Sequence, residues 1–193
     1  MATAIVLLNF GEPADPDRDT VLEYLTRIFY DNADLEDAES EEAAWERSRE
    51  LAQRRLPGLM EEYEEISGSP LQAQAANQAD ALTESLTDRG HDVTVYHAMQ
   101  FMEPLIDDIP ETLAADGMDE VIAVPIYPLC GPSTTVSSID LLESALAETG
   151  ESEPEFLAVP GWQRCPLSHR TRAEVIAQLH GERGVDCTDA GTP

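Results

Sequence analysis

The chain has 193 residues, enough for one domain with a sizeable core, and 42% of them are apolar, as in a globular protein. Its 39 acidic residues outnumber its 11 basic residues, which are all arginine, and the net charge is −28. This excess argues against a nucleic-acid-binding surface. Because the carboxylates are spread through periodic segments, it favours adaptation to molar salt, where the Debye length falls to roughly 3 Å.

The cysteines and the first residues exclude further classes of protein. Cys130, Cys165 and Cys187 are odd in number and far apart, which argues against a disulfide framework and a zinc site. The opening segment has no basic residue and only a short apolar run, so we expect neither a signal peptide nor a transmembrane segment. A cytoplasmic location is the expectation.

Short apolar runs alternate with amphipathic segments along the chain, which predicts alternating strands and helices. Strands are expected at Ala4–Asn9, Val93–Ala98, Val121–Ile126 and Phe156–Val159. Helices are expected at 19–30 and 41–56, followed by a shorter helix that ends at 66 and a helix from 71 to Gly90. Three more are expected at 105–115, 136–147 and 167–180. Pro57 and Gly58 are expected to end the second helix, and Pro110 to kink the fifth. The predicted fold class is α/β, with a doubly wound parallel sheet that binds ligands beyond the carboxyl ends of its strands.

The segment after the first strand is Asn9-Phe10-Gly11-Glu12-Pro13. A tight turn here would expose Phe10 at the carboxyl edge of the sheet, where a flat apolar ligand could lie on its ring. The alternative is that Gly11 and Pro13 only turn the chain while Phe10 packs inward, and the residues alone do not decide between the two.

The segment after the third strand places Ser133, Thr134 and Thr135 at the start of a helix. Free backbone N–H groups and three hydroxyls there could bind an anion, although simple N-capping needs only one hydroxyl. The four histidines include no i, i+4 pair on one helix, and the glycine-rich nucleotide motifs are missing, so neither a metal site nor a nucleotide site is predicted.

These motifs, in this order, resemble the ferrochelatase family. The match consists of Leu8-Asn9-Phe10-Gly11-Glu12-Pro13, Tyr63 with Gly68-Ser69-Pro70-Leu71, Ala98-Met99-Gln100-Phe101 with Pro104, Pro125-x-Tyr127-Pro128 before Ser133-Thr134-Thr135, and Gly161-Trp162 with Pro166. The resemblance implies a Rossmann-like, chelatase-like domain, one of two that clamp a porphyrin between them. It implies residues 1–160 as the N-terminal domain and 161–193 as a connecting helix and the start of a truncated second domain.

The resemblance also implies a function, which is insertion of ferrous iron into protoporphyrin or coproporphyrin in haem biosynthesis. Fe²⁺ and porphyrin are then substrates, and no permanently bound cofactor is expected. The implied porphyrin-binding residues are Phe10, Tyr63, Ser69, Ser133, Thr134 and Ser138. The family's metal-binding His, in a Ser-Ala-His motif, and its partnering Glu have no counterpart here and are expected beyond Pro193, so no catalytic or metal-binding residue is predicted within the chain.

Two departures and two alternatives qualify the resemblance. Glu62 stands where some members have Arg, and Gln100-Phe101 replaces a frequent Arg-Tyr pair, so propionate recognition is expected to be weaker or rearranged. One alternative is a non-catalytic tetrapyrrole-binding protein that needs a separate C-terminal ferrochelatase half as partner. The other is a small sirohydrochlorin or cobalt chelatase, which would need histidines near the first strand that are not there.

Overall fold

The computed structural model describes residues 2–15, 17–32, 39–127, 130–150, 154–162 and 165–183. The strands are β1 (Thr3–Asn9), β2 (Val93–Met99), β3 (Glu120–Pro125) and β4 (Glu155–Ala158). The α-helices are α1 (Arg18–Asn32), α2 (Glu41–Ile66), α3 (Leu71–Asp88), α4 (Ile109–Ala115), α5 (Ser137–Glu148) and α6 (Pro166–Arg183). The four strands are all parallel, in the order β2-β1-β3-β4, so the predicted α/β class with a parallel sheet is confirmed.

Helices cover both faces of this sheet, which explains why β1 is apolar throughout. Ala4, Val6 and Leu8 point to the face where α4 and α5 pack, in one buried cluster. Leu7, with partly buried Ile5, points to the opposite face, where α3 supplies Ala79 and Leu82. Successive side chains of β1 therefore point to opposite faces of the sheet, as in any strand, and they are apolar on both faces.

The long hairpin of α1 and α2 lies apart from these two layers, against the loops that leave β1 and β2. Its cluster joins Val21, Leu25 and Leu56 to Phe101, which follows β2. Partly buried Phe10, which follows β1, packs against the same cluster. The hairpin is thus held at the carboxyl edge of the sheet.

The expected break at Pro57 and Gly58 is wrong, because α2 runs without interruption from Glu41 to Ile66. Proline lacks the N–H that would bond to the carbonyl four residues earlier, at a cost of about 3 kcal/mol in a helix interior. Buried side chains before and after Pro57, Leu56 and Tyr63 among them, enter one apolar cluster. Each such side chain contributes roughly 1.5–3 kcal/mol when fully buried, so tertiary packing outweighs the local penalty.

Two smaller predictions about helices are also corrected. Pro110 lies in the first turn of α4, which begins at Ile109 after a 3₁₀ turn at Ile106–Asp108, so it starts a helix where a kink was expected. Proline is tolerated there because the first N–H groups of a helix have no partner within it. A π-helical turn at Pro132–Val136, absent from the sequence prediction, precedes α5.

The proposed division at residue 160 stays a prediction. Residues 184–193, and with them Cys187, lie outside the described residues; Cys130 and Cys165 are free thiols. Among the described helices, none combines the length and the apolar character needed to cross a bilayer.

Candidate functional site

The carboxyl edge of the sheet brings together the segments after β1, β2 and β3. Asn9 pairs with Met99, and Leu8 pairs with Pro125, so Phe10 and Gln100 leave neighbouring strands side by side. The loops stay in register beyond the strands, because Gln100 N–H donates to the Asn9 carbonyl at 3.0 Å and Phe101 N–H donates to that of Phe10 at 3.0 Å.

The point between β1 and β3 is where a ligand is expected in such a sheet. The connection from β1 leads to α3 on one face, whereas the connection from β3 leads to α5 on the other. This reversal leaves a crevice beyond the carboxyl ends of the two strands, the usual binding position in open α/β sheets. Phe10 and Tyr127 both lie at this crevice.

Gly11 allows the loops after β1 and β2 to approach each other. Its φ is +83°, and a Cβ there would lie 2.9 Å from Met99 Cβ and 3.0 Å from Met102 Cβ. A side chain is disfavoured both by the left-handed backbone and by these neighbours.

Phe10 is partly buried in an aromatic cluster and partly exposed. Its ring meets Phe101 edge to face, with centroids 4.6 Å apart, and meets Tyr24 at 6.4 Å. Phe101 is buried and fixes one side of the ring. Phe10 thus packs inward against this cluster and, as a residue, remains partly exposed at the edge.

Tyr63 and Ser69, both predicted to contact porphyrin, are buried, and Tyr63 belongs to the same apolar cluster as Phe10. Burial, with the nearby Glu12 carboxylate, raises the pKa of Tyr63 to about 12, and its hydroxyl shares a hydrogen bond with that of Tyr24. Ser69 Oγ donates to Glu12 Oε2 at 2.5 Å and accepts from Leu71 N–H at 3.2 Å. In this arrangement Ser69 ties the start of α3 to the loop after β1.

A chain of neutral polar groups links the ends of β2 and β3 to the start of α5. The Tyr127 hydroxyl donates to Gln100 Oε1, and Gln100 Nε2 donates to Ser137 Oγ at 3.2 Å. Tyr127 and Gln100 are both buried, and burial raises the pKa of Tyr127, so its hydroxyl keeps its proton. Sequence reasoning omitted Ser137 as a site residue, although it lies four positions after Ser133.

The predicted hydroxyls around the π-helical turn differ in exposure. Ser133 is exposed, whereas half-buried Thr134 directs Oγ1 to the Gly131 carbonyl at 3.4 Å. Ser138 is 0% exposed and donates to the Thr135 carbonyl at 3.2 Å. The amides of Thr134 and Val136 also donate to Gly131, so these two N–H groups are not free for an anion.

Carboxylates lie near this edge, among them Glu12, which accepts from Ser69, and Asp31, whose charge adds to the burial that raises the pKa of Tyr127. Arg27 approaches the edge, with Nη1 3.5 Å from the Phe101 carbonyl, but Nη2 lies 2.7 Å from Glu23 and 3.9 Å from Glu103, which offset its charge. Within the described residues, no three or more His, Cys, Asp or Glu side chains are grouped to hold a metal ion.

Comparison with known proteins identifies a family. The family model described as "Ferrochelatase" matches residues 2–183. Among curated proteins, the chain is 38% identical over 112 residues to a ferrochelatase of Synechococcus sp. (strain JA-3-3Ab), covering 58% of this chain and 32% of that protein. It is 33% identical over 147 residues to the ferrochelatase of Janthinobacterium sp. (strain Marseille), covering 74% of this chain and 39% of that protein. The chain is 32% identical over 130 residues to a ferrochelatase of Trichormus variabilis, covering 66% of this chain and 34% of that protein.

The matched stretch therefore covers about a third of each of these relatives. The family model, in contrast, extends over nearly all of this chain, from the start of β1 to the end of α6. The chain belongs to the ferrochelatase family.

Proposed function

We propose that this chain forms one wall of the porphyrin site of a ferrochelatase, which inserts Fe²⁺ into protoporphyrin or coproporphyrin in haem biosynthesis. The observation that carries the proposal is the partly exposed Phe10 at the β1–β3 crevice of a chain matched by the family from residue 2 to residue 183. We place this activity in the cytoplasm.

In this proposal Phe10 supplies the apolar contact with the macrocycle. Phe101 and Tyr24 contact its ring edge to face, which restricts the orientation of the ring. A preoriented aromatic ring loses little entropy on binding and gains both apolar burial and ring-to-ring attraction. Ser133 adds an exposed hydroxyl at the rim of the same edge.

The neutral hydrogen-bond chain positions the wall without adding charge. Hydrogen bonds among Tyr127, Gln100 and Ser137 join two strand ends to α5. Gln100 cannot form the ion pair that an arginine would form with a propionate. The carboxylates of the porphyrin would also meet a protein of net charge −28. Molar salt screens that repulsion, so binding should depend on apolar contact and should strengthen with ionic strength.

Iron insertion needs a base that accepts the two pyrrole protons and ligands that displace water from Fe²⁺. The resemblance implies that a His and a Glu supply the base and the ligands, and neither has a counterpart in the sequence of this chain. The role proposed for the chain is therefore to bind and orient the macrocycle and to shield one of its faces.

The test is a spectroscopic titration of the 193-residue chain with protoporphyrin IX and, separately, coproporphyrin III in molar KCl. We expect a saturable change in the porphyrin absorbance. Phe10→Leu, which keeps apolar volume in the aromatic cluster, should raise Kd by about tenfold, the equivalent of about 1.4 kcal/mol.

Tyr96→Phe is the matched control, because it removes a hydroxyl that donates to Asp116 at 2.7 Å on a surface away from the crevice. It should leave Kd unchanged. Equal affinity of wild type and Phe10→Leu, with both folded, would contradict the proposal.

A further inference from the structure

The carboxylate of Glu12 lies where four elements meet beside Phe10. Glu12 follows β1, and its Oε2 accepts a hydrogen bond from Ser69 Oγ, just before α3, at 2.5 Å. Burial is the main cause that raises the pKa of Tyr24 in α1 and of Tyr63 in α2, and the nearby Glu12 charge raises the pKa of both further. Both tyrosines share one apolar cluster with Phe10, so this charge is close to the wall on which porphyrin is proposed to lie.

The Ser69 hydroxyl has no hydrogen left for a ligand. Its single O–H hydrogen is donated to Glu12, and its oxygen accepts from Leu71 N–H at 3.2 Å. Ser69 and Tyr63 are also only 7% and 5% exposed, whereas Glu12 stays partly exposed. This group therefore offers a ligand a negative charge, where the resemblance implies hydroxyl contacts.

The protein does not neutralise that charge with an ion pair. Among the ion pairs of the described residues, none includes Glu12. Arg27, which approaches the same edge, is paired with Glu23 at 2.7 Å. Molar salt largely screens charges on the open surface, but a partly buried charge is screened much less. Repulsion between Glu12 and a bound carboxylate therefore persists when most of the net charge of −28 is screened.

The placement of carboxylates on a porphyrin decides whether one of them meets Glu12. Protoporphyrin IX carries its two propionates on adjacent pyrrole rings, so the opposite edge of the macrocycle has only methyl and vinyl groups. Coproporphyrin III carries a propionate on every pyrrole ring and has no edge free of carboxylates. The first porphyrin can turn its apolar edge toward Glu12, whereas the second places a carboxylate near Glu12 in every orientation.

We propose that Glu12 is a specificity-determining residue, which selects porphyrins that have a carboxylate-free edge over porphyrins with a propionate on every pyrrole ring. This inference rests on the proposed function and names the class of porphyrin that the wall accepts. Placing a like charge against the wrong ligand is a common source of specificity. At a separation of about 7 Å and an effective dielectric constant of about 40, one like charge weakens binding about sevenfold.

The test is a pair of absorbance titrations in molar KCl, and the measured quantity is the ratio of Kd for coproporphyrin III to Kd for protoporphyrin IX. Glu12→Gln removes the charge and keeps an oxygen that can accept from Ser69, whereas Glu12→Asp keeps the charge. Glu120→Gln is the matched control. Glu120 is also partly buried and accepts from a hydroxyl, that of Thr3 at 2.8 Å, but it lies at the amino edge of the sheet.

We expect Glu12→Gln to lower this ratio about sevenfold, through tighter binding of coproporphyrin III. Wild type, Glu12→Asp and Glu120→Gln should share one ratio. A purely structural role of Glu12 would change both Kd values by the same factor. An unchanged ratio in Glu12→Gln, or an equal fall in Glu12→Asp, would overturn the inference and leave the porphyrin-binding proposal intact, since both porphyrins still bind. Absence of porphyrin binding by the wild-type chain would instead refute the proposed function, and this inference with it.

Discussion

Replacing Gly11 by alanine should destabilise the chain far more than the same replacement at Gly90. The two glycines share a φ of +83°, so the conformational penalty of an added Cβ is the same in kind. They differ in surroundings, because a Cβ at position 90 would meet nothing within 4 Å, whereas one at position 11 would lie 2.9 Å from Met99 Cβ and 3.1 Å from the backbone nitrogen of Met102. The pair therefore separates backbone strain from close packing.

The magnitude follows from these two terms. A left-handed conformation costs a non-glycine residue about 1–2 kcal/mol, and the lower entropy of the unfolded alanine chain returns about 0.5 kcal/mol. Gly90→Ala should thus lower the free energy of unfolding by about 1 kcal/mol. At position 11 the neighbours include backbone, which cannot rotate away, and overpacking adds about 1–3 kcal/mol. Gly11→Ala should lose about 2–4 kcal/mol.

The assay is urea unfolding in molar KCl, followed by circular dichroism, for both variants and the wild type. Gly11→Ala should also weaken porphyrin binding, because relief of the clash separates Phe10 from Phe101. Equal losses at the two positions would refute the account of Gly11 as the residue that lets the two loops meet.

Three further outcomes are expected from the same structure. Tyr127→Phe should lower the free energy of unfolding by about 1–3 kcal/mol, because it leaves the buried Gln100 Oε1 without its donor; an unchanged urea midpoint would contradict this. Burial raises the pKa of Tyr63 from 10.0 to about 12, so the unfolded chain loses its proton first and stability should fall between pH 10 and about 12. Tyr63→Phe should reduce that slope; an identical slope would exclude Tyr63 as its source. Raising KCl to molar concentration should increase the urea midpoint more than a neutral osmolyte does, since only salt screens the −28 net charge; equal effects would argue against charge repulsion.

The parallel sheet could be predicted because its signal is local. Each strand is a short apolar run, and β1 is apolar at every position from Ala4 to Leu8 because helices pack on both sides of it. Pro57 shows where local reasoning fails. A proline normally ends a helix. Here the apolar cluster that α2 shares with α1 stabilises the continuous helix by more free energy than the proline costs. That cluster depends on contacts between residues distant in sequence.

The candidate site shows the same limit at the level of single side chains. The turn after β1 and the segment from Tyr127 to Ser138 can be placed at the carboxyl edge by topology alone. Which hydroxyl faces solvent depends on the phase of the π-helical turn before α5, which the sequence pattern does not reveal. Ser138 is consequently buried, whereas Ser137 accepts a hydrogen bond from Gln100. The burial of Tyr63 likewise depends on the position of the α1–α2 hairpin.

The central claim, that porphyrin binds at the crevice between β1 and β3, is tested most directly by nuclear magnetic resonance of the chain with metal-free protoporphyrin IX in molar KCl. The ring current of the macrocycle shifts protons that lie over its face. The account predicts large upfield shifts for the Phe10 ring protons and smaller shifts around Ser133, with Trp162 unaffected. Shifts concentrated at Trp162 and α6, with Phe10 unchanged, would contradict it.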